Sequence, residues 1–461
     1  MPECKAFCDP AEVNGVTLTS NCKLPDDSDD LISCPKRVPR GTTASIACKH
    51  GYERSRQTPH EVTCGPTGRW VPDPLPCQQV CGEIYSEARP LIVGGTRINV
   101  TRTPWHAGVY KKKQSLFNQI CGASIINARV VISAMHCFWN AEANAPFDYS
   151  DYSIAVGKTR RDYLAAEDVG LQQNFHIESL HYVDGYSHAD TNYADDIVVV
   201  VLQQPLEFKP HISPVCVPYD LRYDDRTVPS GLRMKVAGWG LERPDGDPSL
   251  NLKVIELSSV SRRDCAEKLI ERKINFVVSS DKFCAGFEAG DQNVCGGDSG
   301  GGLVLSEPAM GKQRTEINFL RGIVSTAISN DGTCDVGQYS QFTNIAFYLE
   351  LIGHYDRLHR PENNFLPSNA ISNDDVADRI EQAGTNSTHC VVSEIPSNGR
   401  AQEAFNTSWT FAVGDVTPLL TVLRYKCDEN YILVGKELNY CVNGRWVDSV
   451  PQCEIIDPGE I

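Results

Sequence analysis

The sequence predicts an all-β protein built from several disulfide-rich modules. Its 461 residues are about three times the usual domain length. Short runs rich in β-branched residues and bounded by glycine, such as CGASIINARVVISAMHC and RMKVAGWG, are typical of a β-barrel. The longest apolar run, IVVVVL at 197–202, has the length of a strand and is too short to span a membrane. One helix is expected at 344–358, where Ile345, Leu349 and Ile352 recur at helical spacing.

The cysteine content indicates an oxidising, extracellular compartment. Nineteen cysteines are too many for a reduced cytosolic chain. Three N-glycosylation sequons agree with secretion, at Asn99, Asn386 and Asn406. The formal net charge of −16 argues against nucleic acid or an anionic membrane as the main partner. Because MPECKAFCDP has no apolar signal core, we expect the beginning of the chain to be missing, and the unmatched Cys4 to belong to the tail of a truncated module.

Two segments repeat one pattern. The first ends in CGPTGRWVPDPLPC (64–77) and the second in CVNGRWVDSVPQC (441–453). The shared GRW resembles the complement control protein, or sushi, module, a small β fold with a core Trp. That resemblance implies a core position for Trp446 and the pairs Cys8–Cys64, Cys48–Cys77, Cys390–Cys441 and Cys427–Cys453, with Cys22 and Cys34 closing an inserted loop. Bridges of this kind contribute about 2–4 kcal/mol each to modules with small cores. Whether the modules are spacers or recognise a partner stays open.

A third set of motifs carries chemistry. CGGDSGGGLV places a Ser in a glycine-rich turn, while SAMHC and NYADDIVVVVL supply a His and an Asp earlier in the chain. Together with IVGG and VAGWG, this order resembles the chymotrypsin family of serine proteases, whose domain consists of two β-barrels. The sequence departs from that family at Gly302, where a Pro is common.

The resemblance assigns catalytic roles. Ser299 is the nucleophile, His136 the general base, and Asp196 the group that orients the His and stabilises the imidazolium. We prefer Asp196 to Asp195 because neighbours in a strand point to opposite faces and the family's acid directly precedes the apolar run. The backbone N–H groups of Gly297 and Ser299 would form the oxyanion hole. Ser325 matches the Ser that hydrogen-bonds the buried Asp.

The substrate pocket is expected to be uncharged. In the family its floor lies six residues before the nucleophile, which here is Asn293, and its walls would be Ala327 and Gly337, beside Ser325. Without a carboxylate, Arg and Lys substrates should bind poorly and a residue such as Leu should be preferred. Asp335 lies nearby in sequence, but its position beside Cys334 favours a loop residue. No metal or cofactor is predicted. Calcium dependence stays open, since the loop before His176 offers no convincing pair of acidic ligands.

The stretch ARPLIVGG suggests how the protein is activated. In this family a cut before IVGG frees an Ile ammonium that pairs with the Asp preceding the nucleophile, here Ile92 and Asp298. Leu91 at the cut fits the uncharged pocket, so we expect the enzyme to cleave itself; an upstream enzyme of chymotrypsin-like preference is the alternative. The resemblance also implies four disulfides, Cys121–Cys137, Cys265–Cys284, Cys295–Cys334 and Cys81–Cys216, the last of which would keep the cut chain together.

The predicted organisation follows from these assignments: a remnant at 1–4, a sushi-like module at 5–79, a linker with the activation site at 80–91, the protease domain at 92–360, a linker at 361–385 and a sushi module at 386–461. This build resembles the insect modular serine proteases, which start Toll and melanisation cascades. The resemblance implies a zymogen in haemolymph or plasma, a downstream protease zymogen as substrate, a pattern-recognition protein as partner of the modules and a serpin inhibitor. Alternatives are a complement-type or clotting protease, or a binding protein with a vestigial protease domain.

Overall fold

The computed structural model consists mainly of β-strands, which confirms the predicted all-β class. It divides into two compact units, Met1–Ile371 and Ser372–Ile461, which are described separately. The residues that the structure describes are 7–9, 12–13, 17–25, 32–34, 37–54, 60–72, 77–85, 102–184, 186, 188, 193–219, 228–241, 246–271, 278–286, 293–308, 316–327, 339–360, 389–403, 410–418, 422–428, 431–434, 438–442, 445–446 and 449–455.

The larger unit contains an open seven-stranded antiparallel sheet, a half-barrel that we call the first barrel. The apolar run that the sequence predicts as a strand is fully buried at Val198–Leu202, which explains why no polar residue interrupts it. It pairs on one side with Val130–Ser133 and on the other with Ile177–Tyr182. Across the sheet the strands follow the order Gln173–Phe175, Tyr152–Val156, His106–Lys113, Leu116–Ile125, Val130–Ser133, Val198–Leu202 and Ile177–Tyr182.

Six antiparallel strands close the second barrel. Its core is a cluster of buried apolar side chains that includes Val236, Leu257, Leu303 and Phe342. Closure leaves no exposed edge within the barrel. Around the barrel the strands follow the order Arg233–Gly238, Lys253–Val260, Lys282–Gly286, Ser340–Asn344, Glu316–Ala327 and Gly302–Pro308.

Two α-helices occur in the described residues, one more than the sequence analysis predicts. Helix α1 spans Arg262–Glu271; its start is marked by Ser261, whose hydroxyl accepts a hydrogen bond from the Asp264 N–H at 3.0 Å. Helix α2 spans Leu349–Leu358, so the predicted helix begins later than expected. The Asn344 side chain instead caps a separate 3₁₀ turn at Ile345–Phe347. Other 3₁₀ turns lie at Met135–Phe138, Tyr149–Asp151 and Ala166–Asp168.

The amino-terminal module is a small antiparallel sheet with a disulfide-lined core. Trp70 is buried there beside the Cys8–Cys64 bond, and the structure also contains the Cys22–Cys34 and Cys48–Cys77 bonds. Its main sheet has the order Glu12–Val13, Thr17–Lys23, Thr43–Cys48, Glu61–Cys64 and Trp70–Val71, and two further pairs join Phe7–Cys8 to Val38–Pro39 and Tyr52–Glu53 to Gln78–Gln79.

The segment after this module is fixed to the first and second barrels. Cys81 is bonded to Cys216 across 135 residues of sequence. The neighbouring Gly82 donates its N–H to Pro214 O at 2.8 Å and accepts from the Asn318 N–H at 3.0 Å. Gly82 has a φ of +69°, and a Cβ there would lie 2.6 Å from Asn318 O, so only glycine fits this close approach.

The carboxy-terminal unit contains the second small module. Its core consists of Val392, Ala401, Leu423 and Tyr425, and Cys427 is bonded to Cys453. Trp446, expected in the core, packs against it only partly buried and donates its indole N–H to Val391 O at 2.7 Å. The main sheet runs Thr410–Phe411, Gly399–Glu403, Val422–Cys427, Leu438–Val442 and Arg445–Trp446, with the pairs His389–Val391 to Val416–Pro418 and Tyr431–Val434 to Gln452–Ile455.

The described residues include no helix that is both long and apolar enough to cross a membrane.

A buried lysine holds together the loop of the first barrel that precedes His176. The Lys158 side chain is fully buried, and its ammonium donates to Asp168 Oδ2 at 3.0 Å, Gln172 Oε1 at 2.7 Å and Tyr163 O at 3.2 Å. Asp168 also accepts from the backbone N–H groups of Thr159 and Arg160. The loop is therefore built around a cation that the chain itself supplies.

Replacing Lys158 with Met should destabilise the protease domain by about 3–5 kcal/mol, because the buried Asp168 carboxylate would lose its countercharge. The thermal midpoint of the uncut chain measures this. Lys112→Met, an exposed Lys in the same barrel, is the matched control and should change stability by less than about 0.5 kcal/mol. Equal midpoints for the two variants would contradict the assignment.

Candidate active site

The imidazole of His136 and the carboxylate of Asp196 are joined in the structure. His136 lies in the 3₁₀ turn that follows strand Val130–Ser133, and Asp196 precedes strand Val198–Leu202, so two neighbouring strands of the first barrel carry them. His136 Nδ1 is 2.8 Å from Asp196 Oδ2, and the His136 backbone N–H donates to Asp196 Oδ1 at 2.9 Å. This pair of bonds fixes the ring so that Nε2 points away from the carboxylate.

Ser299 lies in the turn that enters the second barrel, directly before strand Gly302–Pro308. Its carbonyl accepts from the Gly122 N–H at 2.7 Å, which ties the turn to the first barrel. A Cβ at Gly300 would lie 2.3 Å from Ser133 Oγ and 2.4 Å from Gly122 O, so the close approach of the two barrels requires glycine there. Gly297 has a left-handed φ of +101°, which also favours glycine.

Asp196 is fully buried and bonded from the second barrel as well. The Ser325 hydroxyl donates to Asp196 Oδ2 at 2.5 Å, and Tyr186 OH lies 3.5 Å from Oδ1. Burial alone would raise the pKa of Asp196, but the adjacent His136, the charge of Lys282 and the Ser325 hydrogen bond lower it to about 2. The carboxylate is thus ionised throughout the physiological range.

Asp195 and Asp196 point to different partners, but not for the reason that the sequence suggested. The strand begins only at Val198, so strand alternation does not apply. Asp195 instead has a left-handed φ of +58°, and its Oδ1 accepts from Tyr348 OH at 2.8 Å. Only Asp196 reaches His136.

Asn293 lies at the edge of the same turn region and is partly buried. Its Oδ1 accepts from the Val294 N–H and from the Ser340 hydroxyl, both at 2.9 Å. Two donors therefore hold the carboxamide oxygen. Ala327 is the last residue of strand Glu316–Ala327, which also carries Ser325.

Asp298 occupies a separate buried pocket. Its carboxylate accepts the backbone N–H groups of Gly240 (2.8 Å) and Cys295 (3.0 Å). A Cβ at Gly238 or Gly240 would lie 2.0 or 2.1 Å from its oxygens, which explains both glycines of VAGWG. Burial raises the pKa of Asp298 to about 6 despite the two backbone hydrogen bonds. The pocket thus holds a carboxyl group whose charge lacks a cation among the described residues.

The trypsin family model matches residues 92–352, more than half of the chain. The chain belongs to the trypsin family. The sushi repeat (SCR repeat) model matches residues 22–77 and 390–453 of this trypsin-family chain. The family assignment and the presence of sushi repeats are therefore confirmed.

Three arthropod proteins are among the curated relatives of this trypsin-family chain. It is 27% identical to the modular serine protease of Drosophila melanogaster, over 76% of this chain and 54% of that protein. It is 28% identical to clotting factor C of Tachypleus tridentatus, over 74% of this chain and 32% of that protein. The proclotting enzyme of the same species is 28% identical over 62% of this chain and 72% of the relative. The chain thus spans about half and about a third of the length of the first two.

One positioning contact in the trypsin-family domain was missed by the sequence analysis. Gln119 is buried, and its side-chain amide donates to Gly297 O at 2.8 Å and to Cys121 O at 3.0 Å, while Arg161 donates to its Oε1 at 3.3 Å. Gln119 thereby holds the carbonyl of a predicted oxyanion-hole residue from the first barrel. The partners are 178 residues apart, and no local motif signals such a contact.

Where the structure describes both cysteines, the disulfides of the protease domain are the ones that the family resemblance implies. Cys121 is bonded to Cys137 and Cys265 to Cys284. Cys121, Cys137 and His136 form the one cluster of potential metal ligands found among the described residues, but its two sulfurs are bonded to each other and supply no thiolate.

Several predicted residues lie outside the described part of the chain. Cys295 and Cys390 are both disulfide-bonded, but their expected partners' side chains are not described. The residues concerned are Cys4, Leu91, Ile92, Asn99, Cys334, Asp335, Gly337, Asn386 and Asn406, together with the side chain of Cys441.

Asp298 predicts a pH dependence for the uncut trypsin-family chain. A carboxyl whose pKa is raised from 3.8 to about 6 on folding stabilises the fold below pH about 4, and this contribution is lost as pH rises through 6. Between pH 4 and 7 the free energy of unfolding of the chain that keeps Asp298 should fall by up to about 3 kcal/mol relative to that of the Asp298→Asn chain.

Thermal midpoints of the two chains, both carrying Ser299→Ala so that neither can be cut by its own activity, measure the difference. Groups other than Asp298 cancel in the comparison. If the two curves of thermal midpoint against pH stay parallel over this range, the Asp298 carboxyl is either exposed or already paired with a cation, which would contradict the prediction.

Proposed function

We propose that this chain is a secreted serine endopeptidase zymogen that acts early in an extracellular protease cascade. The observation that carries the proposal is the 2.8 Å bond between His136 Nδ1 and Asp196 Oδ2, with Ser299 in the adjoining turn of the opposite barrel. Nucleophile, base and orienting carboxylate are the parts that acyl transfer from a peptide requires.

In the proposed reaction Ser299 Oγ attacks the substrate carbonyl while His136 Nε2 accepts its proton and later returns it to the leaving amine. Asp196 holds the required tautomer and stabilises the imidazolium that forms. The N–H groups of Gly297 and Ser299 bind the oxyanion, each such donor being worth about 10²–10³ in rate. Gln119, which holds Gly297 O, steadies this loop.

The proposed specificity is for an uncharged residue before the scissile bond, such as Leu. Asn293 supplies a carboxamide where a carboxylate would be needed to bind Arg or Lys, and its oxygen already accepts two hydrogen bonds. A guanidinium entering the pocket would lose its hydration without gaining a countercharge there. Ser325, Ala327 and Gly337 are proposed as the neighbouring pocket residues.

Asn293→Asp should convert the preference to basic residues, because the new carboxylate pairs with the incoming cation. The ratio of kcat/KM for an Arg peptide to that for a Leu peptide should rise about 100-fold or more. Asn293→Ala is the control and should not gain activity on Arg. A wild-type enzyme that already prefers Arg peptides would refute the proposed specificity.

The proposed activation is self-cleavage after Leu91. The residue at this bond is uncharged, as is the proposed pocket, so one molecule can serve as the substrate of another. The freed Ile92 ammonium would supply the cation that the buried Asp298 carboxylate lacks among the described residues. Ordering of the oxyanion hole would follow from that ion pair.

Purified, concentrated wild-type chain should convert to the cut form by itself, and Ser299→Ala should stay intact. Leu91→Arg should abolish self-conversion and make the chain a substrate of a trypsin-like protease. Amino-terminal sequencing identifies the cut, and a non-reducing gel should keep the two pieces together through Cys81–Cys216. Wild-type protein that remains uncut at high concentration would instead favour an upstream activator.

The cascade role is proposed from the relatives. One is named a modular serine protease and others a clotting factor and a proclotting enzyme, which supports a protein substrate for this chain. We propose a downstream protease zymogen as that substrate, a serpin as inhibitor and a pattern-recognition protein as the partner of the sushi modules. The disulfides of every described module support an extracellular setting, such as haemolymph or plasma.

A clotting-type protease activated by an upstream enzyme is the second candidate, and it is favoured by the similarity to clotting factor C and the proclotting enzyme. A vestigial domain that only binds is the remaining alternative. A fluorophosphonate probe separates the vestigial domain from the two protease candidates. Labelling of Ser299 in the cut chain requires a working nucleophile and base, and Ser299→Ala is the unlabelled control.

A further inference from the structure

An ion pair is buried directly behind Asp196, and the catalytic roles described above do not use it. Asp281 and Lys282 are consecutive residues at the start of strand Lys282–Gly286 of the second barrel. The Lys282 side chain is fully buried and that of Asp281 is 8% exposed, and Lys282 Nζ lies 3.6 Å from Asp281 Oδ2. A buried ammonium needs such a countercharge and oxygen partners to remain charged.

Lys282 reaches the carbonyl side of Asp196 through one hydroxyl. Its ammonium donates to Thr343 Oγ1 at 3.0 Å, and Thr343 Oγ1 in turn donates to the backbone carbonyl of Asp196, also at 3.0 Å. Thr343 lies opposite Lys282 in the strand pairing of the second barrel.

Asp281 contacts the backbone of Asp195, the residue before Asp196. Asp281 Oδ2 accepts the backbone N–H of Asp195 at 3.0 Å. Tyr348 OH lies 2.8 Å from both Asp281 Oδ2 and Asp195 Oδ1. These contacts hold Asp195 in its left-handed conformation, which a non-glycine residue adopts only when its surroundings impose it.

We infer that Asp281 and Lys282 form a positioning pair for the proposed protease reaction, holding the Asp195–Asp196 backbone from both sides and balancing each other's charge behind the catalytic carboxylate. The inference rests on the proposed function. Neither residue touches the reacting atoms; they act through Asp196 on His136.

The opposite charges of Asp281 and Lys282 should have opposite effects on the pH profile of the proposed reaction. The imidazolium of His136 is stabilised by negative charge and opposed by positive charge nearby. Among the described residues, the other polar groups near His136 and Asp196 are Tyr186, Tyr193, Ser325, the Cys137 sulfur and, behind Tyr193, His188. The Asp195 carboxylate shares the Tyr348 hydroxyl with Asp281. With Asp281 and Lys282 both charged, their effects on the imidazolium oppose each other. Removing one charge at a time should therefore shift the pH profile in opposite directions.

The experiment uses the full chain carrying Leu91→Arg, cut by immobilised trypsin so that activation does not depend on the enzyme's own activity. The pH dependence of kcat/KM is measured with a Leu peptide. The acid limb of this profile is the fall of kcat/KM at low pH, where His136 becomes protonated. Lys282→Met removes a positive charge and should move this limb to higher pH by about half a unit to one unit. Asp281→Asn removes a negative charge and should move it to lower pH by a similar amount. In both, kcat should fall about 3- to 30-fold with little change in KM, since the pocket is untouched.

The double variant Asp281→Asn/Lys282→Met removes the whole pair and should return the limb to within about 0.3 unit of the parent. If Lys282→Met alone does not fold, the double variant can still be tested because it leaves no unpaired buried charge of this pair. Asp281→Asn alone is still expected to show the shift to lower pH. Lys253→Met, at an exposed Lys in the same barrel, is the matched control and should behave like the parent.

The outcomes are separable. Single variants that are labelled by a fluorophosphonate but leave the acid limb unmoved, or move it in the same direction, overturn the inference while the proposed function stands. A cut parent chain that is not labelled overturns the proposed function, and the inference falls with it. Opposite shifts that cancel in the double variant support the positioning pair, because a merely structural role would lower activity without them.

Discussion

The site depends on one fully buried carboxylate that must stay ionised between two barrels. Asp196 lies on the first barrel, but the second barrel supplies the Ser325 hydroxyl that donates to its carboxylate and the Thr343 hydroxyl that donates to its backbone carbonyl. Taking a carboxylate out of water costs several kcal/mol unless it is well paired, so these contacts and His136 must all be in place together. The seam between the barrels is consequently close-packed, with glycine at 300 where the Ser299 turn meets Ser133 and Gly122.

Two buried carboxylates of the candidate site, Asp196 and Asp298, have opposite electrostatic environments. Asp196 has His136 and a hydroxyl as partners, and its pKa falls to about 2. Asp298 has only backbone N–H partners among the described residues, and its pKa rises to about 6. In the proposed activation, Asp196 already has its partners before the cut, whereas Asp298 would gain its cation only after the cut. In the proposed mechanism, this difference locates the activation switch at Asp298 and not in the triad.

Motifs with fixed spacing made much of the architecture predictable. The all-β class, the trypsin family and the sushi repeats follow from the GDSGG, IVGG and GRW patterns. Helix α1 was missed because its amphipathic face is short, with Cys265 and Leu269 as its buried residues. Gln119, Asp281 and Lys282 were missed because each acts through partners brought close only by barrel closure. Asp196 was chosen over Asp195 by strand alternation and by its place directly before the apolar run, whereas in the structure the left-handed φ of Asp195 separates the two side chains.

Tethering on both sides of the activation site makes the proposed switch efficient. Upstream, Cys81 and Gly82 are fixed to the barrels; downstream, the His106 N–H donates to Thr103 O at the entry of the first strand. In the proposed activation, the new amino terminus at Ile92 would lie ten residues from residue 102, which limits its reach to at most about 36 Å. Its ammonium would meet Asp298 as an intramolecular partner, at a high effective concentration. Because the Cys81–Cys216 bond would retain the amino-terminal module, the proposed cut would change the charge in one pocket without releasing a domain.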